Sequence, residues 1–310
     1  MSQLTLHRCG PGIAVQDMGR PNRLAEGLSR GGAADRLAML EAAALLGLPA
    51  PVPALEMAMM GCEVSVDTPT RVALTGARMQ ASLNGDTVAW NTSLTLTPGD
   101  RLTLSAARAG MYGYLTPAGG VRTAPFLGSV AAHLTTGIGH LLQAGDTLPI
   151  GSDPHPDTPA TVLAPEERLT GGTIRVMPGP QTGLFDAATR KRFFETRFTR
   201  SRTGNRQGVR MEFDGAPFAS GTGDLASDVI QAGDVQMTGE GTPYVLLTEC
   251  QTMGGYPRIG TVIAQDLPRV AQATPGTHLT FTELTLEEAD ALWRSDAEVL
   301  KSLRRQVQPL

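Results

Sequence analysis

The sequence predicts a mainly β protein of two domains with a few helices. Three observations carry that expectation. Short segments that alternate apolar and polar residues, or run apolar between turn residues, recur along most of the chain. Gly 36 and Pro 22 among 310 residues make it rich in turns. Aromatic residues are only 5%, and the length suffices for two domains that each bury a core.

Taken in chain order, "GGAADRLAMLEAAALLG" spaces Leu37, Leu40 and Ala44 as on one helix face, stopping at Gly47 with Pro49 beyond. "CEVSV", "RVALT", "RLTLS" and "YGYLT" then read as successive strands between Cys62 and Thr116, with Asn84-Gly85 and Pro98-Gly99-Asp100 as turns. Residues 152–172 are rich in Pro, Thr and Asp without periodicity and read as a linker. A strand follows ("TIRVMP"), then a helix around Phe185 to Glu195, then the strands "VRMEF", "YVLLTEC", "IGTVI" and "HLTFTEL". Thr285 and Glu288 make a capping box for a terminal amphipathic helix carrying Leu286, Ala289, Leu292, Trp293, Leu300 and Leu303. The expected organisation is an N-terminal β domain with one early helix over 1–160, a second β domain over 170–285 and a helix over 285–310. "YGYLT" followed by Gly119-Gly120, and "YVLLT" followed by Gly254-Gly255, echo each other, as a duplicated β unit or as chance likeness between β-rich segments.

Several chemistries are excluded or disfavoured. The net charge of -4 gives no general attraction to nucleic acid. Three distant cysteines, Cys9, Cys62 and Cys250, suit a reduced, cytoplasmic setting. No apolar stretch approaches the ~20 residues of a membrane helix, and the N-terminus has no apolar targeting core. The two lysines, Lys191 and Lys301, lie in neither a phosphate loop nor the Met-Lys-Met setting of biotinylation; "EMAMMG" has Met59 at that place. The five histidines show no metal-ligand spacing. Cys250 lacks an adjacent base and reads as an inert thiol.

What remains is three clusters of amide, arginine and glycine residues. "PGIAVQDMGRP" groups Gln16, Asp17, Gly19 and Arg20; "GNRQGVRME" groups Asn205, Arg206, Gly208 and Arg210; "ECQTMGGYPRIG" ends an apolar run in Gln251, Gly254, Gly255, Tyr256 and Arg258. Each is either a solvated turn or part of a substrate site. Between Arg190 and Arg210 eight cations face a lone Glu195, either a solvated face or a docking surface for an anionic partner.

Together these motifs resemble the family of the 5-oxoprolinase C subunit, also known as allophanate hydrolase subunit 2, which includes the carboxyltransferase region of biotin-dependent urea carboxylase (urea amidolyase). "QTMGGYPRIG" is similar to its Q-T-T-G-G-Y-P-[KR]-I-A, "PGIAVQDMGRP" to T-V-Q-D-x-G-R-P, "YLTPAGGVRTAPFLGS" to Y-L-A-V-A-G-G…L-G-S, and "GNRQGVRME" to S-N-R-M-G-x-R-L-E. Ala14, Met253 and Gln207 depart from the pattern, and "SRGGAADRLAM" keeps Asp35 of a looser P-x-S-G-A-M-D.

The resemblance implies two related β-barrel-like domains, the C-terminal one (170–285) a cyclophilin-like barrel, and work on amide-like groups. Its first implication is membership of an ATP-dependent 5-oxoprolinase, acting with A-type and B-type 5-oxoprolinase partner proteins. ATP would be used through that complex, and a homo-oligomer is compatible with it. The second is a carboxyltransferase taking carboxybiotin from a partner chain. The third is a regulator that antagonises a kinase inhibitor. The implied catalytic residues are Asp17, Asp35 and Gln251, and the substrate-binding ones Gln16, Arg20, Asn205, Arg206, Gly254, Gly255, Tyr256 and Arg258. Asp17 or Asp35 would move a proton, the amides would pair a lactam or urea, and Arg206 or Arg258 would hold an anion. The purified chain is expected to carry neither metal nor biotin. Stoichiometric zinc by elemental analysis, or a streptavidin-positive band from this polypeptide, would contradict that.

Overall fold

The computed structural model describes residues 2–164, 167–219 and 225–310, so Pro165 and Glu166 of the expected linker lie outside the described residues. The chain forms two compact units. One comprises 1–20, 31–166 and 294–310; the other comprises 21–30 and 167–293.

The first unit holds β1 (Ser2–Cys9), β2 (Ile13–Gln16), β3 (Ala54–Ala58), β4 (Cys62–Val66), β5 (Thr70–Leu83), β6 (Asp86–Val88), β7 (Thr92–Leu96), β8 (Leu102–Pro117), β9 (Thr147–Ile150) and β10 (Thr161–Val162), with α1 (Arg36–Leu45) between β2 and β3. With a last short strand, Gln308–Pro309, they make one 11-stranded sheet. "RLTLS" and "YGYLT" prove to be two ends of one strand, β8. The cause lies in the small residues between them. Gly110 at φ 84° bends the strand, and the register with β5 shifts three times opposite Gly76 to Ala81. One bent strand thereby pairs with β3, β4 and β5. Asn84 (φ 54°) and Gly85 (φ 97°) close the β5–β6 hairpin as expected. The expected linker is partly integrated here: β10 pairs with β7, and Asp153 ion-pairs with buried Arg71 at 2.8 Å.

The second unit contains β11 (Gly172–Met177), β12 (Arg197–Gly204), β13 (Gly208–Glu212), β14 (Asp228–Val229), β15 (Asp234–Met237), β16 (Pro243–Leu246), β17 (Met253–Gly254), β18 (Arg258–Val262) and β19 (His278–Glu283), with α2 (Ala187–Glu195) and α3 (Leu267–Gln272). Seven strands close into a barrel in the order β11-β18-β15-β16-β13-β12-β19, while β14 and β17 pair separately. Six of the eight phenylalanines are concentrated at one place. Phe193 of α2 lies 5.0 Å from Phe281 and 5.1 Å from Phe198, ring centroid to centroid, and Phe218 adds a further edge.

The expected terminal helix is two helices, α4 (Leu286–Leu292) and α5 (Asp296–Arg304). Ser295 and Glu298 form a second capping box, which starts a new helix and leaves Trp293 extended (φ -61°, ψ 136°). Only the second helix buries the anticipated leucines, Leu300 and Leu303, against Leu40 and Ala44 of α1. The basic stretch is also broken up: Arg200 is buried in β12, Arg192 donates to the Ala216 carbonyl at 2.5 Å, and Lys191 pairs with Glu195 at 3.8 Å.

The Phe cluster is the main apolar element of the barrel core. Phe198→Ala should therefore lower stability by about 3–5 kcal/mol. Urea unfolding followed by circular dichroism checks this, and a loss below about 1 kcal/mol would show that the cluster is not what holds the barrel.

Candidate functional site

Alternation along the barrel strands decides which side chains form the site. Val209, Met211, Val235, Met237 and Val245 point inward and are buried, so Gly208, Arg210, Gln236 and Tyr244 point outward. Pairing then aligns them in a row. Arg210 of β13 stands opposite Tyr244 of β16, which stands opposite Gln236 of β15. On this outer face lies a pocket of about 310 Å³. Its walls include Asn205, Gln207, Gln236 and Gln251, the hydroxyl groups of Thr203, Thr238, Tyr244 and Tyr256, and the apolar Ile230 and Leu246. Among the described residues no charged side chain lines it. Gly208 keeps the floor low, since a Cβ there would stand 3.0 Å from the Val245 carbonyl oxygen.

Two loops bring the distant amides together. Asn205 accepts the Gln207 N–H at 2.7 Å, forming a tight side-chain turn between β12 and β13. Strand β16 ends at Leu246, earlier than the apolar run suggests, and 247–250 fold back as a turn closed by Cys250 N–H on the Leu247 carbonyl at 3.0 Å. The loops are laced by backbone bonds from Leu247 to Gln207 and from Glu249 to Arg206, both 2.9 Å. Between them lies an ion pair, Arg206 Nε to Glu249 Oε1 at 2.5 Å, with Glu249 only 2% exposed. Gln207, Gln236 and Gln251 make no side-chain hydrogen bond among the described residues, which leaves their donors and acceptors to a ligand.

Arg258 is committed elsewhere. It bonds Gln181 at 3.1 Å, reaches Asp234 at 3.4 Å, and also binds Asp228 and the Val229 carbonyl. It ties β14 to the barrel and pins the base of the loop, so neither Arg206 nor Arg258 presents a free guanidinium for an anion. Gly254 and Gly255 do not adopt positive φ; their small size is what matters. A Cβ on Gly254 would stand 3.0 Å from Gln236 Nε2, and one on Gly255 would stand 3.1 Å from the Leu225 carbonyl oxygen. Tyr256 is half exposed and closes the pocket's edge. Burial, with Asp234 nearby, pushes the Cys250 thiol up to about 12, which agrees with an inert thiol.

In the first unit, Gln16, Asp17 and Arg20 hold one segment. Gln16 donates to the Ala132 carbonyl at 3.1 Å. Asp17 accepts from Gly19 N–H, Ser129 O–H and Val130 N–H at 2.8, 2.6 and 2.8 Å. Arg20 donates to the carbonyls of Phe126, Ser129 and Ala131 at 2.9, 3.2 and 2.6 Å. Asp35 is fully buried and caps α1 by accepting the Ala38 N–H at 3.1 Å. Its own N–H donates to the Tyr114 hydroxyl, which donates to buried Glu56 at 2.7 Å. Burial and the two carboxylates hold the Tyr114 phenol well above its ordinary value.

Sequence reading misses Gln236 and Tyr244, whose only signal is a polar position between inward residues of short strands. Gln207 stands out in the sequence only as a departure from the family pattern. Among the described residues no cluster of His, Cys, Asp and Glu is arranged to hold a metal ion, and no helix is long and apolar enough to cross a membrane.

A β barrel with an amide-lined outer pocket, in a chain that also carries a separate β unit, defines a class. The model of the carboxyltransferase domain, subdomains A and B, matches residues 26–283, and the chain belongs to that family. The C subunit of Escherichia coli K12 5-oxoprolinase is 36% identical over 292 residues, covering 92% of this chain and 93% of the relative. The urea amidolyase of Lachancea kluyveri is 25% identical over 321 residues, 95% of this chain but 18% of the relative. The crystal structure of Kluyveromyces lactis urea carboxylase superposes with a TM-score of 0.86 over 99% of this chain and 30% of that one; its 22% identity makes this a likeness of fold. The chain thus spans nearly all of the bacterial relative and less than a third of the fungal chains. The resemblance read from the motifs holds.

Arg206→Ala removes the guanidinium from a carboxylate that is 2% exposed. It should cost about 3–5 kcal/mol and loosen both pocket loops. Gln251→Ala should change stability by under about 1 kcal/mol. Thermal melts of the two variants side by side check the contrast; equal melting temperatures would show the ion pair to be dispensable.

Proposed function

We propose that this chain is the C-type subunit of an ATP-dependent 5-oxoprolinase-like enzyme, which opens the 5-oxoproline lactam to glutamate. The observation that supports this best is the uncharged pocket walled by four side-chain amides. A lactam carries an N–H donor beside a C=O acceptor. Carboxamides answer both at once, while a carboxylate or ammonium answers only one. The 36% identity to the E. coli relative, across nearly the whole of both chains, supports the same reading.

In this reading Asn205, Gln207, Gln236 and Gln251 hold the lactam amide, and Tyr256 packs at its edge. Gly254 and Gly255 keep the loop thin enough for close approach. Water adds to the lactam carbonyl, the ring C–N bond breaks, and the nitrogen leaves with a proton. ATP hydrolysis, handled in the complex with the A-type and B-type partner proteins, drives the opening. Of the two aspartates of the first unit, Asp35 is buried as the cap of α1 beside the Tyr114–Glu56 pair and is assigned to holding that unit's fold. Asp17 is engaged by three donors in holding the 129–130 segment and is assigned to positioning.

A second reading is supported by the family itself, a carboxyltransferase domain. The ureido ring of carboxybiotin on a partner chain offers the same N–H and C=O pattern to the same pocket. Saturation of the pocket by biotin, with no effect of 5-oxoproline, would favour this alternative.

One substitution tests the first reading in the reconstituted complex. Gln251→Ala should reduce kcat/KM for 5-oxoproline by the equivalent of about 1–3 kcal/mol with the melting temperature kept. Wild-type turnover would remove this loop from the active site. The chain alone should show little 5-oxoproline-stimulated ATPase and gain it with its partners.

A further inference from the structure

Beside the amide pocket lies a second recess of about 260 Å³, which shares Thr238, Tyr244 and Tyr256 with it. Its remaining walls include Arg210 and Glu240. Arg210 is the outward member of the row that runs through Tyr244 to Gln236. Its Nε is buried and has no hydrogen-bond partner, and it forms no ion pair, Glu240 included, among the described residues. The neighbouring arginines differ sharply. Arg206 is neutralised by Glu249, and Arg258 by Asp228 and Asp234. A half-buried guanidinium without an acceptor is poised for an anion, and a planar fork suits a carboxylate best.

The row also sets the spacing. Arg210 and Gln236 lie two strands apart, on the order of 10 Å between backbones, with the Tyr244 ring between them. Two side chains reaching toward each other across that distance leave room for a small ring bearing one acidic substituent.

We infer that Arg210 anchors the substrate's carboxylate and thereby selects, within the lactam reading on which this inference rests, amides that carry an acidic group next to the amide nitrogen. A lactam without the acidic group leaves the guanidinium unanswered. The recess therefore discriminates against it, while the amide pocket alone does not. Glu240 on the same wall opposes binding of any anion that fails to reach Arg210.

The test compares 5-oxoproline with its neutral carboxamide, 5-oxoprolinamide, by titration calorimetry on the full chain in complex with its A-type and B-type partners. Wild type should prefer 5-oxoproline by about tenfold or more. Arg210→Gln should erase that preference while leaving affinity for the carboxamide unchanged, and Arg210→Lys should restore part of it. A melting curve for each variant confirms that the barrel is intact. Retention of the full preference in Arg210→Gln would overturn the anchor and leave the lactam reading standing, as would a wild type that binds both compounds equally. A wild type that binds neither would overturn the lactam reading and the anchor with it.

Discussion

The Arg206–Glu249 ion pair is the interaction on which the candidate site depends. It lies between two loops that are about forty residues apart in sequence, and each loop carries amides that line one pocket. Two charges removed from water stabilise little by themselves, because desolvation offsets most of their attraction. Their value here is geometric. A short charge-assisted bond, flanked by the backbone bonds Leu247 to Gln207 and Glu249 to Arg206, allows one relative placement of the loops. Asn205 and Gln251 are then held facing a common space.

The barrel supplies the other half of the constraint. Strand alternation sends Val209, Val235 and Val245 inward and Gln236, Tyr244 and Arg210 outward, so a polar row forms on the outer face at no cost to the core. The interior is left to aliphatic residues and the phenylalanine cluster. A site on a rigid outer wall is better defined than one built on loops alone, and the loops need only close over it.

The distribution of arginines divides labour in the barrel unit. Arg258 joins β14 to the barrel through Asp228 and Gln181, Arg206 joins two loops, and Arg175 is bound to Asp266 at 2.6 Å. Each carries a carboxylate partner and serves the fold. Arg210, which lines the recess beside the pocket, has no carboxylate partner among the described residues. In the first unit Arg20 follows the structural rule by another route, with three backbone carbonyls gathered around one buried guanidinium.

Sequence by itself determined the mainly β class, the first helix with its stop at Gly47, the Asn84-Gly85 hairpin, most of the barrel strands and the family. These rest on local signals, namely period-two alternation, turn residues, caps and short motifs, which act within a few residues and so remain visible in one dimension. Tertiary structure decided the rest. Two predicted strands merged into the bent β8 because pairing partners, absent from local sequence, continue across Gly110. One predicted helix became two because Ser295 competed as a cap. "ECQTMGGYPRIG" reads as either a turn or a site, and only the fold shows that its glycines serve by lacking a Cβ beside Gln236 and Leu225. Above all, residue type marks Arg206, Arg210 and Arg258 as equals. Only the fold, by placing a carboxylate against two of them and an open recess against the third, separated structural charge from charge left for a ligand.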